Sequence, residues 1–391
     1  MSTISDLSQP VSAGIVGAVT GFASSFAIVL AGLTAVGATS AQLSSALLVL
    51  CLAQGGLAML FSWRYRIPVS FAWSTPGAAL LVTAGAVTDD FAAAVGGFVL
   101  CGLLIVLTGC WPVLGRLINR IPPSIAAAML AGILFPICLS PVTAAVELPF
   151  VALPIILVWL VLQRFAPRWA VPAAMVATAV GVFLVAEPST GRQPGWPAFD
   201  LVAPVWDPAV MVALGVPLYI VTMAGQNIPG FAVLTTFGYR RDISRSVLLG
   251  TGAASGLGAL AAAPPMNLAA LSAAIMAGPD AHADTGRRWI AAFAGGATYL
   301  VLGLAAPLAT LLVESAPPSL IQAAAGLALM GAMINAVGTA FERPDHRLVA
   351  LGTFLVVASG TTIAGVGSAF WGLIAGGFLL LTVRPAPRED K

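Results

Sequence analysis

The chain has 391 residues, of which 59% are hydrophobic and 8% charged, with a mean hydropathy of +0.99. A soluble domain carries about 25% charged residues, so this composition cannot build a water-facing surface and lipid must cover much of the protein. The net charge of +2 points to no nucleic acid, and only two histidines, His282 and His346, leave almost nothing for a zinc site or a His-based triad.

Met1 to Pro10 has no basic residue and no apolar core, so it does not read as a cleaved leader. The first span is predicted at 12–36, where Gly21 precedes Phe22, Ser24 and Ser25, and the second at 41–62. The third, 67–87, is broken. It reads Ile67-Pro68-Val69-Ser70-Phe71-Ala72-Trp73-Ser74-Thr75-Pro76-Gly77-Ala78. Large and small side chains alternate from Val69 to Ser74, as in an extended strand. Thr75 before Pro76 predicts a capping hydroxyl with proline at the first helical position. A helix from Pro76 to Ala86 is only ~15 Å long, half the bilayer core.

Spans follow at 91–111, 122–140, 148–163 and 169–186. The eighth, 208–238, carries Thr222, Gln226 and Asn227 ahead of Pro229, which frees the carbonyl of Gly225. A ninth at 243–261 runs into the tenth, 262–278, where Pro264-Pro265-Met266 cannot start as a helix interior. There Asn267 is the expected cap, and Leu268 to Ala277 forms a second ~15 Å helix stopped by Gly278-Pro279. Spans at 288–313, 317–340, 347–359 and 362–383 bring the total to about fourteen.

The two short helices enter from opposite leaflets and start near the midplane. Each start offers free N–H groups and roughly +0.5 of a charge, an anion site without a cationic side chain. Ser70, Ser74, Thr75 and Asn267, flanked by Met266 and Leu268, are its candidate residues. Ser24, Ser25, Gln226 and Asn227 add hydroxyls and amides, and Phe22, Phe71 and Trp73 add ring-stacking walls. Gln54, Gln322 and Asn335 read as buried amides that bond helix to helix. Cys51, Cys101, Cys110 and Cys138 lack metal-ligand spacing and read as packing residues.

Fourteen spans put both termini on one side. Arg64, Arg66, Arg116, Arg120, Arg164, Arg168, Arg240, Arg241, Arg245, Arg287, Arg288, Arg343, Arg347, Arg384, Arg388 and Lys391 then share that side, and Arg192 alone faces the other. The positive-inside rule makes the basic side cytoplasmic. Asp89, Asp90, Glu147, Glu187, Asp200, Asp207 and Glu314 lie in the opposite loops.

The chain also repeats itself. Pro122-Pro123-Ser124-Ile125 matches Pro317-Pro318-Ser319-Leu320, Gly132 matches Gly326, and Gly96-Gly97 matches Gly295-Gly296, at offsets of 194 to 199 residues. A seven-span unit ends on the side opposite its start, so its copy is inverted. That plan recurs in secondary transporters.

The run Ile67 to Ala78 resembles the signature of the BenE-type benzoate:proton symporters, and Pro264-Pro265-Met266-Asn267-Leu268 and Ala224-Gly225-Gln226-Asn227-Ile228-Pro229-Gly230 resemble its partner segments. The resemblance covers essentially the whole chain. It implies a multi-pass carrier of the bacterial inner membrane that imports benzoate with protons. It also implies the uracil-permease-like fold: a core domain of 1–120 and 201–315, and a gate domain of 121–200 and 316–391. A small aromatic acid, protons and membrane lipid are the implied partners, a homodimer is an assembly it allows, and no cofactor is implied. Relatives of the uracil permeases often place an acid on span 8 or 10, where this chain has Gln226, Asn227 and Asn267. Asp207, Glu147 or the substrate itself is left to carry the proton. A passive anion channel, or a carrier of another organic anion, is the alternative on this fold. A membrane-embedded enzyme lacks the clustered His, Asp and Glu it would need.

Overall fold

The computed structural model describes residues 5–185, 195–363 and 366–382; Glu187, Arg192, Arg384, Arg388 and Lys391 lie outside them. Within these bounds the first half of the chain forms α1 (Ser5–Ala35), α2 (Ser40–Tyr65), β1 (Phe71–Trp73), α3 (Thr75–Ala84), α4 (Phe91–Cys110), α5 (Pro112–Asn119), α6 (Pro123–Glu147), α7 (Pro149–Phe165) and α8 (Pro167–Val185). The second half forms α9 (Pro208–Thr236), α10 (Ser244–Ala259), β2 (Met266–Leu268), α11 (Ala270–Ala277), α12 (Trp289–Leu304), α13 (Ala306–Ser315), α14 (Pro318–Phe341), α15 (Arg347–Ala358) and α16 (Ser368–Thr382).

Local chemistry explains the boundaries. Thr39 and Gln42 close a capping box on α2, and Asp90 caps α4 through the Ala92 N–H. α6 and α14 each start on the second residue of a proline pair. The first proline, Pro122 or Pro317, holds φ at −56° or −53° and lies just outside the helix.

Three boundaries differ from the expected ones. α6 continues through Pro136 and Pro141 to Glu147, beyond the expected end at 140. Packing of the buried face that holds Ile133, Leu134, Ile137 and Pro141 outweighs one missing donor per proline there. Pro112 and Pro307 instead start separate helices, α5 and α13, so the expected span 288–313 is bent by 57°. The last helix begins at Ser368 rather than near 362, after a short bridge between Ile363 and Val366.

Among the described residues, six helices are long and apolar enough to cross a bilayer: Leu7–Ala35, Ser40–Tyr65, Phe91–Cys110, Pro123–Glu147, Pro208–Thr236 and Pro318–Phe341. The bent α12–α13 pair passes the same test as a unit, while Thr75–Ala84, Pro149–Phe165, Trp169–Leu184 and Ser368–Thr382 are shorter apolar helices.

The helix contacts pair off in a duplicated pattern. α2 packs along α12 as α10 packs along α4; α1 meets α3 as α9 meets α11; α7 meets α8 as α15 meets α16. α6 with α14, and β1 with β2, pair across the repeat itself. The two long seams close only because glycine omits a side chain. A Cβ on Gly55 would lie 2.6 Å from the Gly296 carbonyl oxygen, and one on Gly252 would lie 2.6 Å from the Val106 nitrogen.

Of the expected buried amides, only Gln54 is inside, fully buried on α2. Neither its nitrogen nor its oxygen has a partner among the described residues. Gln322 and Asn335 are exposed on α14 and bond no other helix among the described residues.

Candidate functional site

β1 and β2 run antiparallel with Phe71 opposite Leu268, Ala72 opposite Asn267 and Trp73 opposite Met266. Two main-chain bonds extend the pair, from Ser74 N to Pro265 O and from Ala269 N to Ser70 O, each 2.9 Å. A helix leaves each end of this pair: α3 after β1 and α11 after β2. With ten and eight residues, neither is long enough to cross a bilayer alone. Their starts therefore flank three residue pairs, about 10 Å of strand.

The caps differ from the expected ones. Ser74, not Thr75, caps α3: its hydroxyl accepts from the Gly77 N–H at 3.2 Å, and Thr75 is already helical. Asn267 does not cap α11, because it belongs to β2. The residue in the cap position is Ala269, which has no side-chain acceptor, so α11 begins with no side chain closing it. Proline at the second helical position holds the α3 register and leaves Ser74 one residue before the helix.

Opposite residues of an antiparallel pair share a face. On one face, Phe71, Trp73, Met266 and Leu268 are packed inside. Phe71 lies edge-on to Phe61, and Trp73 edge-on to both Phe22 and Tyr299. The Trp73 indole N–H donates to Ser25 Oγ at 2.8 Å, and Ser25 Oγ in turn donates to the Gly21 carbonyl. On the other face are Ala72 and Asn267. The Ser70 and Ser272 hydroxyls are 2.9 Å apart, and those of Ser74 and Thr222 are 2.7 Å apart.

α9 supplies the polar wall. Pro229 has no N–H to offer, and the turn Met223–Asn227 widens to a π-helical turn in which Ile228 N reaches back to Met223 O. That wider turn sits against the start of α3, with Gly225 3.4 Å short of Pro76 for any added Cβ. It also turns Asn227 inward: its Oδ1 accepts the Leu268 N–H at 3.0 Å and its Nδ2 faces Met223 Sδ at 3.3 Å. Gln226, half-buried on the same turn, makes no side-chain hydrogen bond among the described residues.

Asn267 is fully buried. Its Nδ2 donates to the Leu268 carbonyl at 3.0 Å, which fixes the amide orientation because a carbonyl can only accept. Its Oδ1 is then left without a donor among the described residues.

Gly21 to Ser24, Ala72, Thr75 and Ala224 to Gln226 are each half-buried, and the contacts of Phe22 with Trp73 and of Gly225 with Pro76 bring their elements to the strand pair, which marks the candidate cleft. Phe22 is the ring on its edge, stacked on Phe26 at 5.2 Å. Of the thirteen residues expected from sequence, Phe22, Ser24, Thr75 and Gln226 border this cleft and Asn267 lies on its strand face. Ser25, Phe71, Trp73, Asn227, Met266 and Leu268 build the scaffold behind it, while Ser70 and Ser74 bond to neighbouring hydroxyls. Thr222 and Ser272 complete those hydroxyl pairs. Thr222 was legible only as a polar residue in an apolar span, and Ser272 stood out by no signal at all.

A duplicated helical bundle with two short antiparallel strands, each followed by a helix too short to cross a bilayer, suits a membrane transport protein. A family model described as benzoate membrane transport protein, BenE, matches residues 5–382. The chain belongs to that family and is a multi-pass membrane protein. It is 40% identical to the inner membrane protein YdcO of Escherichia coli (strain K12) over 93% of each chain. It is 33% identical to the benzoate membrane transport protein of Acinetobacter baylyi over 81% of this chain and 80% of that one. Among solved structures, the transmembrane domain of the cyanobacterial bicarbonate transporter BicA matches with a TM-score of 0.55 at 16% identity, covering 94% of this chain and 98% of that one. SLC26A9 matches with a TM-score of 0.57 at 15% identity, covering 94% of this chain and 65% of that one. At such identities the likeness is one of fold.

Proposed function

We propose that the chain imports a benzoate-like aromatic acid with protons across the bacterial inner membrane by alternating access. The observation that carries this is the family match over residues 5–382. In this reading about fourteen segments cross the bilayer as two inverted seven-segment units, with both termini cytoplasmic. Residues 1–120 and 201–315 form the core, and 121–200 and 316–391 the gate that moves against it. α3 and α11 start near the midplane, where irregular backbone is tolerable because it faces a cleft.

The acid sits at the start of α11, with its ring toward Phe22 and its carboxyl between the uncapped helix N–H groups and Asn267. The proton travels on the substrate. A neutral carboxylic acid can accept from the helix start and donate its O–H to Asn267 Oδ1, which has no donor among the described residues. It also avoids the cost of burying a charge where no Lys, Arg or His is at hand. Asp207 suits the proton role less, because its carboxylate accepts from the Ala209 and Val210 N–H groups as the cap of α9.

Radiolabelled benzoate uptake into proteoliposomes tests this. Uptake should saturate and rise with an inward proton gradient. The apparent Kd for benzoate should weaken about tenfold per pH unit between roughly pH 6 and 8, as the neutral fraction of a carboxylic acid falls. Uptake indifferent to the gradient would remove the coupling. Single-channel currents in planar bilayers would replace the carrier with a channel. Uptake of radiolabelled bicarbonate that benzoate does not inhibit would favour a small-anion carrier, the reading to which the fold of BicA lends weight.

A further inference from the structure

A cavity of about 540 Å³ opens between the end of α9 and the start of α10. That volume lies in the range of small-molecule sites. Its inner wall is Ile67, Phe231 and Leu234; Tyr239, Arg240 and Arg241 stand at its mouth. The inner wall belongs to one apolar cluster with Phe71 and Leu268, which lie behind it on the packed face of the strand pair. Phe231 lies one helical turn beyond Asn227.

The charge of the lining is not self-cancelled. Asp242 is held by its own turn, accepting from Ser244 N at 3.0 Å and Ser244 Oγ at 2.6 Å. Those bonds keep its carboxyl below the usual carboxylate range, so it stays ionised and engaged. Neither Arg240 nor Arg241 pairs with an acid among the described residues, and the Arg241 guanidinium lies 4.9 Å over the Tyr65 ring. Arginines that merely orient a chain in a membrane need no cavity between them. Here two cations share a mouth with an aromatic and aliphatic pocket behind it, which suits an amphipathic anion: the ring inside, the carboxylate outside.

We propose that this cavity is a second anion site, an antechamber that holds an aromatic carboxylate on Arg240 and Arg241 between the strand-pair cleft and the arginine-rich face. It rests on the reading that the substrate is an aromatic acid. The site differs from the cleft in binding the ionised form, so the substrate's carboxyl proton passes to water at the open mouth on the way between them.

Thr235→Cys, exposed on the cavity wall, provides the test in a Cys110→Ala background, since the other three cysteines are buried. Phosphatidylcholine liposomes carry no net headgroup charge and keep anionic lipid out of the experiment. Benzoate should slow maleimide labelling of Cys at this position at least fivefold. Arg240→Gln with Arg241→Gln should abolish the protection, Arg64→Gln should leave it, and Gln226→Ala, which weakens the cleft alone, should leave it too. Protection that vanishes with Gln226→Ala originates in the cleft and overturns the antechamber, as does an absence of protection while benzoate is still transported. Protection by added phosphatidylglycerol but not by benzoate also overturns it, in favour of a lipid site. Protection without benzoate transport would leave this anion site standing while the proposed function falls, and loss of both would remove both.

Discussion

At the scale of single residues, two neighbouring amides in α9 have different roles although the sequence shows them as a pair. Asn227 is buried and holds the Leu268 N–H, so it fixes the position of β2. Gln226 is half-buried and makes no side-chain hydrogen bond among the described residues. Asn227→Ala leaves a buried main-chain donor unpaired, which costs about 1–3 kcal/mol, and should lower both the melting temperature and benzoate affinity. Gln226→Ala should leave the melting temperature unchanged and weaken benzoate binding roughly tenfold, the worth of one hydrogen bond to a carboxyl group. Thermal melting with and without benzoate separates the two. Equal shifts from both variants would contradict this division. The sequence marked both amides because polar groups in an apolar span need a reason. It could not say which was satisfied, since that depends on β2, forty-one residues away. The same limit hid the inward packing of Phe71 and Trp73: alternation along β1 gave their shared face, but not which face meets the cleft.

At the scale of elements, the breaks in spans 3 and 10 were legible because proline forbids a continuous helix in each, and in span 3 an alternating run precedes it. The caps were less legible. Ser74 and Thr75 are adjacent hydroxyls, and either could cap; packing decided, because only Ser74 also meets the Thr222 hydroxyl. Ser74→Ala should therefore cost more than an ordinary cap, which is worth about 1 kcal/mol, since it also leaves Thr222 without its partner. Thr75→Ala should change stability little. Melting of the two purified variants in detergent decides between them, and the reverse order would return the cap to Thr75. α13 passed unseen because the apolar run of the expected span 288–313 continues through the bend at Pro307, and α5 because it lies in the basic stretch between the expected spans 91–111 and 122–140.

At the scale of the whole molecule, the repeat was visible as proline and glycine pairs at one offset, and the contacts give those glycines a purpose. Gly296, part of the repeated Gly-Gly, meets Gly55 across the α2–α12 seam, while Gly252 of α10 meets α4 across the corresponding seam. Equivalent seams should tolerate side chains equally badly. Gly55→Val and Gly252→Val each force a β-branched side chain against main-chain atoms 2.6 Å from the new Cβ, so each should destabilise by about 1–3 kcal/mol or more. Gly331→Val on α14, where an added Cβ meets nothing within 4 Å, should stay within about ±0.5 kcal/mol. The comparison separates packing from helix propensity, because all three positions are helical and receive the same residue. If Gly331→Val proved as damaging as the seam variants, the loss would come from the helix itself or from an assembly that covers α14. The close glycine contact would then no longer explain how the two halves of the bundle are held together.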